Sequence, residues 1–291
     1  MALNLHLVRI FAGVVAAGGF SRAAADLNLS QPAVSRAVQE LERQLGTTLL
    51  DRTGRRIVPT SAGQVLNDHA VGLFAIERQA EAALAELEGL DRGQLAIGAS
   101  TTIGIYLLPP LLSAFHRRHP RVRLLLDVGN TAQIAERLRT TPLDMAFVEG
   151  PVTGADLEVH SWRDDRLAVI AAPDDPIVAR VPVTLKDLAA APFILREPGS
   201  GTREVVEESL RALGVEARVA MELGSTEAVK QAVAAGLGVS VVSSAAIVQE
   251  LELGRLVTLD VPDLRIQRTL SRLAVVGRPL SRATLEFLAL V

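Results

Sequence analysis

Residues 20–59 read FSRAAADLNLSQPAVSRAVQELERQLGTTLLDRTGRRIVP, and the rest of the chain is organised around this stretch. Ser21 is placed to cap a short helix ending near Leu27. Asn28 and Leu29 make a turn, and Ser30 caps a second helix carrying Gln31, Pro32, Ala33, Val34, Ser35 and Arg36 in its first two turns. Pro32 falls in the first turn, where its missing N–H removes no intrahelical bond. Ala23, Ala24, Leu27, Val34, Val38 and Leu41 supply the apolar faces that hold the pair together. The spacing predicts a helix-turn-helix.

Gln31, Ser35 and Arg36, with Ala33 beside them, lie on neighbouring turns and project from one face of the second helix. Arginine takes guanine bidentately and glutamine takes adenine, each good pair giving about 1–3 kcal/mol of discrimination. Downstream, residues 51–56 form a basic turn between Leu49/Leu50 and Ile57/Val58. This reads as a winged hairpin whose Arg52, Arg55 and Arg56 meet phosphate. A plain helical hairpin with a solvated turn accounts for either feature alone. The two together point to double-stranded DNA.

At 291 residues the chain is too long for one ordinary core. With 49% hydrophobic and 22% charged residues it is a globular composition. Aromatics at 3% argue against reading single strands or RNA by base stacking. The absence of cysteine removes thiol nucleophiles, thiolate zinc sites and thiol redox sensing. Seven arginines against four acids give residues 1–60 a net charge of +3, and since the whole chain is −3 the remainder is −6. A basic head on an acidic body keeps the body off phosphate. The N-terminal apolar run contains Arg9 and leads straight into the helix-turn-helix, so it reads as a core helix over residues 3–17, not a signal peptide. With no other uncharged run of membrane length, the expected location is the cytoplasm, with no membrane partner.

After the wing, Thr60 or Ser61 caps a long helix reaching about residue 90. Ala62, Leu66, His69, Leu73, Ile76, Ala80, Ala83 and Leu87 recur at alternating four- and three-residue steps. That seam predicts a coiled coil about 45 Å long, and dimerisation through Leu66, Leu73, Ile76, Ala80 and Leu87. His69 reads as a packing residue. Two heads on one dimer read half-sites about 34 Å apart. From Gln94 the period changes. Strands over 95–99, 122–128 and 145–148 alternate with helices over 102–118 and 132–139, the βαβ pattern of a parallel sheet. A second run places strands at 167–172, 193–196, 219–223 and 239–242, and helices at 202–213, 227–235 and 245–253. A strand over 269–276 and a helix from Ser281 close the chain.

Three stretches share one design, in which a strand ends, small polar residues follow and a helix begins. They are Gly98 to Thr102, Glu197 to Arg203, and Gly224 to Thr226; Asn130-Thr131 is a weaker fourth. Free N–H groups and hydroxyls at such ends suit an anion. The expected effector is therefore a small anionic metabolite. Ser100, Thr101, Thr102, Thr131, Ser200, Thr202 and Thr226 offer donors, and Arg196 or Arg203 is the counter-ion. Glu149 either accepts from a ligand hydroxyl or amine, or pairs with Arg196 or Arg203. Each Ser or Thr alone would be an ordinary helix cap; several with two arginines make a site. No P-loop, GxGxxG, HExxH or GxSxG motif is present, and the histidines form no catalytic or metal pattern, so no enzyme activity, cofactor or metal is expected. A solute-binding or transport-type receptor is the alternative, and it lacks a DNA-binding head.

Ala24, Leu27, the Ser30 to Ser35 run SQPAVS, Leu41-Glu42, Leu45-Gly46, Leu49, Arg52 and Arg55 together resemble the winged helix-turn-helix of LysR-type transcriptional regulators. The runs GASTTIGIYLLPPLL from Gly98, VEGP from Val148, REPGSGTRE from Arg196 and ELGSTEAVKQAVAAGLG from Glu222 resemble its branch regulating carbon-fixation and sulfite or cysteine metabolism genes. The family more often has leucine where Pro59 stands, which touches only the wing's packing. The resemblance implies an α/β fold with a helix-rich head. The head is residues 1–60, a linker and dimerisation helix spans 61–92, and a two-subdomain, periplasmic-binding-protein-like (type 2) effector domain spans 93–291. Subdomain I would comprise 93–161 and 267–291, subdomain II 162–266, with the hinge at crossings near Ser161 and Gln267. It also implies phosphorylated, sulfur-containing or carboxylate effectors, dimers or tetramers, and contact with RNA polymerase.

Overall fold

The computed structural model describes residues 3–52, 57–86 and 93–291. The chain divides into two compact units, Met1–Leu84 with Arg139–Pro142, and Ala85–Leu138 with Leu143–Val291.

In the first unit, α1 (Leu5–Ala17) is capped by Asn4, whose side chain accepts from the amides of His6 and Leu7. Leu7, Val8, Ile10, Phe11 and Val14 are buried, which accounts for the apolar N-terminal run as core. α2 (Phe20–Asp26) starts two residues earlier than expected. Gly19 stands at the cap position with no side-chain bond, so Ser21 lies inside the first turn and caps nothing. Asn28 takes the left-handed conformation at φ 54° that turns the chain, a position asparagine tolerates. Ser30 Oγ accepts from Ala33 N and opens α3 (Gln31–Leu45), with Pro32 in the first turn. β1 (Leu50–Asp51) and β2 (Val58–Pro59) pair antiparallel as the base of the wing. Glu42 ties α3 to this base, accepting from Leu49 N at 2.8 Å, Leu50 N at 3.2 Å and Arg52 at 2.8 Å. Thr60, not Ser61, caps α4 (Ser61–Glu86): its Oγ1 accepts from Gly63 N at 3.1 Å and donates to Thr48 O at 2.7 Å. One face of α4 is buried in this core through Ala70 and Phe74, with Arg9 4.2 Å above the Phe74 ring.

The second unit begins with β3 (Gly93–Ser100). A π-helical turn over Ile103–Leu107 then precedes α5 (Leu108–Arg118), where one continuous helix was expected. Pro109 and Pro110 have no N–H to give to the preceding turn, and that turn widens. β4 (Val122–Gly129), α6 (Thr131–Thr140) and β5 (Met145–Glu149) follow, with β4 and β5 both parallel to β3. β6 (Leu157–Ala171) is ten residues longer at its start than the sequence suggested. Its first half carries Glu158, His160, Arg163 and Asp164 on exposed positions, which hides the strand from an apolar-run reading. Next come α7 (Leu185–Ala190), β7 (Pro192–Arg196), α8 (Gly201–Ala212), β8 (Arg218–Leu223), α9 (Thr226–Ala234) and β9 (Ser240–Ser243). The expected helix over 245–253 is a short 3₁₀ turn followed by α10 (Val248–Glu252). β10 (Val257–Thr258), β11 (Ile266–Val275) and α11 (Arg282–Leu288) complete the chain.

Among the described residues seven strands form one sheet in the order β10-β6-β11-β5-β3-β4, with β9 also on β6, while β7 and β8 pair in parallel beside it. β6 and β11 run antiparallel along their whole shared length, so two adjacent strands join the halves. Their register slips between Leu270 and Ser271, which face Arg163 and Ser161 and leave Trp162 as the extra residue. One half is packed around Ile97, Phe115, Phe147 and Phe287, the other around Phe193, Leu195, Val206 and Val241. Parallel strands therefore end, and helices begin, at the junction between the halves.

Candidate functional sites

On the head, Gln31 and Arg36 are exposed at the start of α3, with Ala33 and Ser35 half-buried between them. Arg36 Nε donates to Pro32 O at 3.3 Å, a local bond that leaves the guanidinium on the surface. Arg52 is held by Glu42 and stands 5.4 Å from the Phe20 ring centroid, so it braces the wing base as well as presenting charge. Arg55 and Arg56 lie outside the described residues. Along α4, Leu73 is 37% and Ile76 61% exposed, and Ala80 is also exposed, whereas Leu66 leans on the head core. Leu87 lies outside the described residues.

At the junction in the second unit, Ser100, Thr101, Thr102, Thr131, Glu149, Arg196, Ser200, Thr202 and Thr226 are all buried. Glu149, at the end of β5, accepts from Thr102 N at 3.3 Å and Thr202 Oγ1 at 2.9 Å, and pairs with Arg268. Arg268, on β11, also donates to Thr202 Oγ1 at 2.8 Å and to Asp165 at 2.8 Å. Asp165 in turn accepts from Ser243 at 2.7 Å. Thr131 Oγ1 donates to the Glu149 carbonyl at 2.6 Å. The backbones come close here: a Cβ on Gly201 would sit 1.5 Å from the Glu149 oxygen, and Gly150 takes φ 85° beside it.

Arg196 is the second centre. It donates to Thr226 at 2.9 Å and Thr101 at 3.4 Å, and forks onto Glu197 at 2.7 and 2.9 Å. Burial pushes the Glu197 carboxyl up, but bonds from Arg196 and its own backbone, with the Arg196 charge, outweigh that and hold it below the usual range. Arg203 is not part of this centre. It pairs with Glu207 and Glu222 and donates to the Arg196 carbonyl at 3.0 Å, which braces α8 against β7.

The hydroxyls divide by role. Ser225, not Thr226, caps α9, and Ser200 at the start of α8 makes no side-chain capping bond. Thr101, Thr202 and Thr226 link side chains across the junction. Ser100 Oγ is buried without any hydrogen-bond partner among the described residues. A further contact crosses nearby: Tyr106 donates to Glu227, and Lys230 lies 5.0 Å from the Tyr106 ring. Lys230 bonds Ala246 O at 2.7 Å, Glu227 at 2.7 Å and Glu250 at 2.8 Å. Burial and then the Glu227 bond push the Tyr106 hydroxyl up to about 12.

Arg268, Asp165, Lys230 and Tyr106 were not anticipated as site residues. Lys230 left a signal, being one of only two lysines and standing in the apolar run AVKQAVAA. Arg268 and Asp165 left none, since their partners lie on other strands.

Residues 5–64 match the family model "Bacterial regulatory helix-turn-helix protein, lysR family", and residues 88–291 match "LysR substrate binding domain". The chain is 40% identical over 288 residues to the HTH-type transcriptional regulator YeiE of Escherichia coli K12, covering 99% of this chain and 97% of that protein. It is 38% identical over 268 residues to the RuBisCO operon transcriptional regulator of Allochromatium vinosum, covering 91% and 88%. The regulatory domain of Synechocystis CcmR, solved in complex with 2-PG, superposes with TM-score 0.63 at 35% identity, covering 68% of this chain and 95% of that one. The chain belongs to the LysR family of transcriptional regulators: a DNA-binding head joined to an effector-binding domain, with carbon-fixation regulators among its relatives. No single helix among the described residues is long and apolar enough to cross a membrane.

Proposed function

We propose that the effector is a small anionic metabolite held at the junction by Ser100, Thr101, Thr102, Ser200, Thr202 and Thr226, with Arg196 supplying the charge. The observation that carries this reading is the Ser100 hydroxyl, buried and unpartnered at the end of β3 while its neighbours are engaged. A buried hydroxyl with no partner costs about 1–3 kcal/mol, which a ligand oxygen placed there would recover. The CcmR regulatory domain binds 2-PG, a small anion, which supports this reading. The test is Ser100→Ala with 2-PG, sulfate and phosphate as probes, read by calorimetry and thermal shift. The variant should melt no lower than the parent, since it loses no bond, yet should lose at least tenfold in probe affinity. Unchanged affinity would remove the assignment.

At the head, Gln31, Ser35 and Arg36 read base edges and Ala33 packs among them, while Arg52, Arg55 and Arg56 meet the backbone. Dimerisation runs along Leu66, Leu73, Ile76, Ala80 and Leu87; the exposed Leu73 and Ile76 support this. The regulator acts in the cytoplasm on promoter DNA, with RNA polymerase as its partner there.

A further inference from the structure

We infer that Glu197 is a built-in competitor for the effector: its carboxylate occupies the charge position on Arg196 that an anionic ligand must take, and binding displaces it. The inference rests on the effector reading above and adds the step by which the site discriminates. Arg196 is 4% exposed, and its guanidinium meets Glu197 through Nε and Nη2, the two-pronged geometry arginine uses for any carboxylate or phosphate. Asn130 Nδ2 adds a third bond to Glu197 at 3.2 Å, from the other half of the unit. Glu197 thus makes the contacts expected of a ligand anion, bridging the halves.

Charge makes displacement necessary. Around the junction, Arg196 and Arg268 face Glu149, Asp165 and Glu197, a net of one negative charge. An anion entering beside Glu197 would add its whole charge to that excess, whereas one replacing it adds only the charge it carries beyond a single unit. Glu149 and Asp165 are ill-suited to leave, being fixed by Arg268 and by Thr202 and Ser243 hydroxyls. Glu197 can leave. Its side chain is 23% exposed and sits on the turn that reaches Gly199 at φ 83°, so it swings to solvent without disturbing β7 or α8. Being tethered next to Arg196, it acts at high effective concentration, so weakly charged anions fail to dislodge it, and an anion that reaches only Arg196 binds less tightly than one with a second attachment.

The experiment compares the full-length parent, Glu197→Gln, Glu197→Asp and Ser100→Ala by calorimetry with sulfate, phosphate and 2-PG, with melting curves as the check on folding. Glu197→Gln should bind at least one probe tenfold or more tighter than the parent. Glu197→Asp, one methylene too short to fork onto Arg196, should also tighten binding and serves if the first variant melts early. If the parent binds a probe, Ser100→Ala loses it, and neither Glu197 variant gains affinity, the competitor idea is wrong and the effector site stands. If neither the parent nor the Glu197 variants bind any probe, the anion site itself is wrong and the inference goes with it.

Discussion

Replacing Arg268 by methionine tests whether the buried network at the junction holds the effector domain together. The side chains of Arg268 and Glu149 are 2% and 3% exposed, and that of Asp165 is 7% exposed. Methionine fills much of the volume and leaves two buried carboxylates facing one another with only neutral donors. Removing one partner of a buried ion pair costs about 3–5 kcal/mol, because the remaining charge stays desolvated. For a unit of this size each kcal/mol lowers the melting temperature by about 2–4 °C, giving a drop of roughly 6–20 °C. The assay is specific because Trp162 is the only tryptophan, packed 4.7 Å from Phe147 within this unit, so its fluorescence follows this unit's unfolding. Adding Glu149→Gln to the variant removes one stranded charge and should restore a substantial part of the loss, a coupling that a double-mutant cycle measures. A loss below about 1 kcal/mol for the single variant, or no recovery in the double, would refute the reasoning.

Gly201→Ala should cost at least about 3 kcal/mol by the same fluorescence assay and abolish the anion-induced thermal shift, since the new Cβ meets backbone oxygen at 1.5 Å and the halves must part; a stable variant with parental anion binding would contradict the close approach. Tyr106 and Lys230 both have folded values raised above their unfolded ones, so the stability they contribute is complete below about pH 10 and is lost as pH rises through the folded values. Urea titrations at pH 8, 10 and 11 should therefore show a steep alkaline loss that Tyr106→Phe makes shallower, and equal slopes would discount the contact. On the acid side, burial works against Glu227 but Lys230 and Tyr106 hold its carboxyl below the usual range, so its contribution holds above the ordinary carboxylate value and falls away as pH drops through the depressed one. Ile76→Asp, at a position 61% exposed on α4, should shift sedimentation from dimer toward monomer without lowering the Trp162 transition; an unaltered dimer would place the interface elsewhere.

The features legible in the sequence are those whose causes are local. Ser30 precedes a proline-containing first turn, so its capping role can be read from four residues, and the structure bears it out with the bond from Ala33 N. Ser21 failed because two glycines precede it. With Gly19 already extended, the helix begins at Phe20 and the serine arrives too late to cap. Strand ends followed by small polar residues marked the junction, since loops at carboxyl ends of parallel strands gather there whatever their distance in sequence. Distant pairing was not legible. Asp165 and Arg268 are 103 residues apart and meet only because β6 and β11 run side by side, and the pairing of Arg203 with Glu222, on another strand, leaves no mark in the sequence around either residue.

The same distinction bears on how an effector acts. The bonds that span the junction fall into two groups. Glu149, Thr202 and Arg268 form a closed circuit among buried side chains with no spare solvent-facing member, and the backbone contact at Gly201 reinforces it. The Arg196, Glu197 and Asn130 group has one mobile member on a turn, and the Tyr106 and Glu227 contact is also only partly buried. A ligand shifts an equilibrium only by its differential affinity for the two arrangements. One that displaces Glu197 removes the Asn130–Glu197 bond and must supply its own bridge, whereas the Glu149–Arg268 ion pair is the same before and after. The ligand's preference for an arrangement is then set by whether its own oxygens reach Asn130 and Ser100 as well as Arg196. A single-point anion would bind Arg196 and loosen the junction, and a two-ended one would bind and close it. Sulfate and 2-PG, which differ in this respect, should have opposite effects on the protection of backbone amides along α6 and α8 in hydrogen exchange; the same sign for both would mean that Glu197 is not the member that moves.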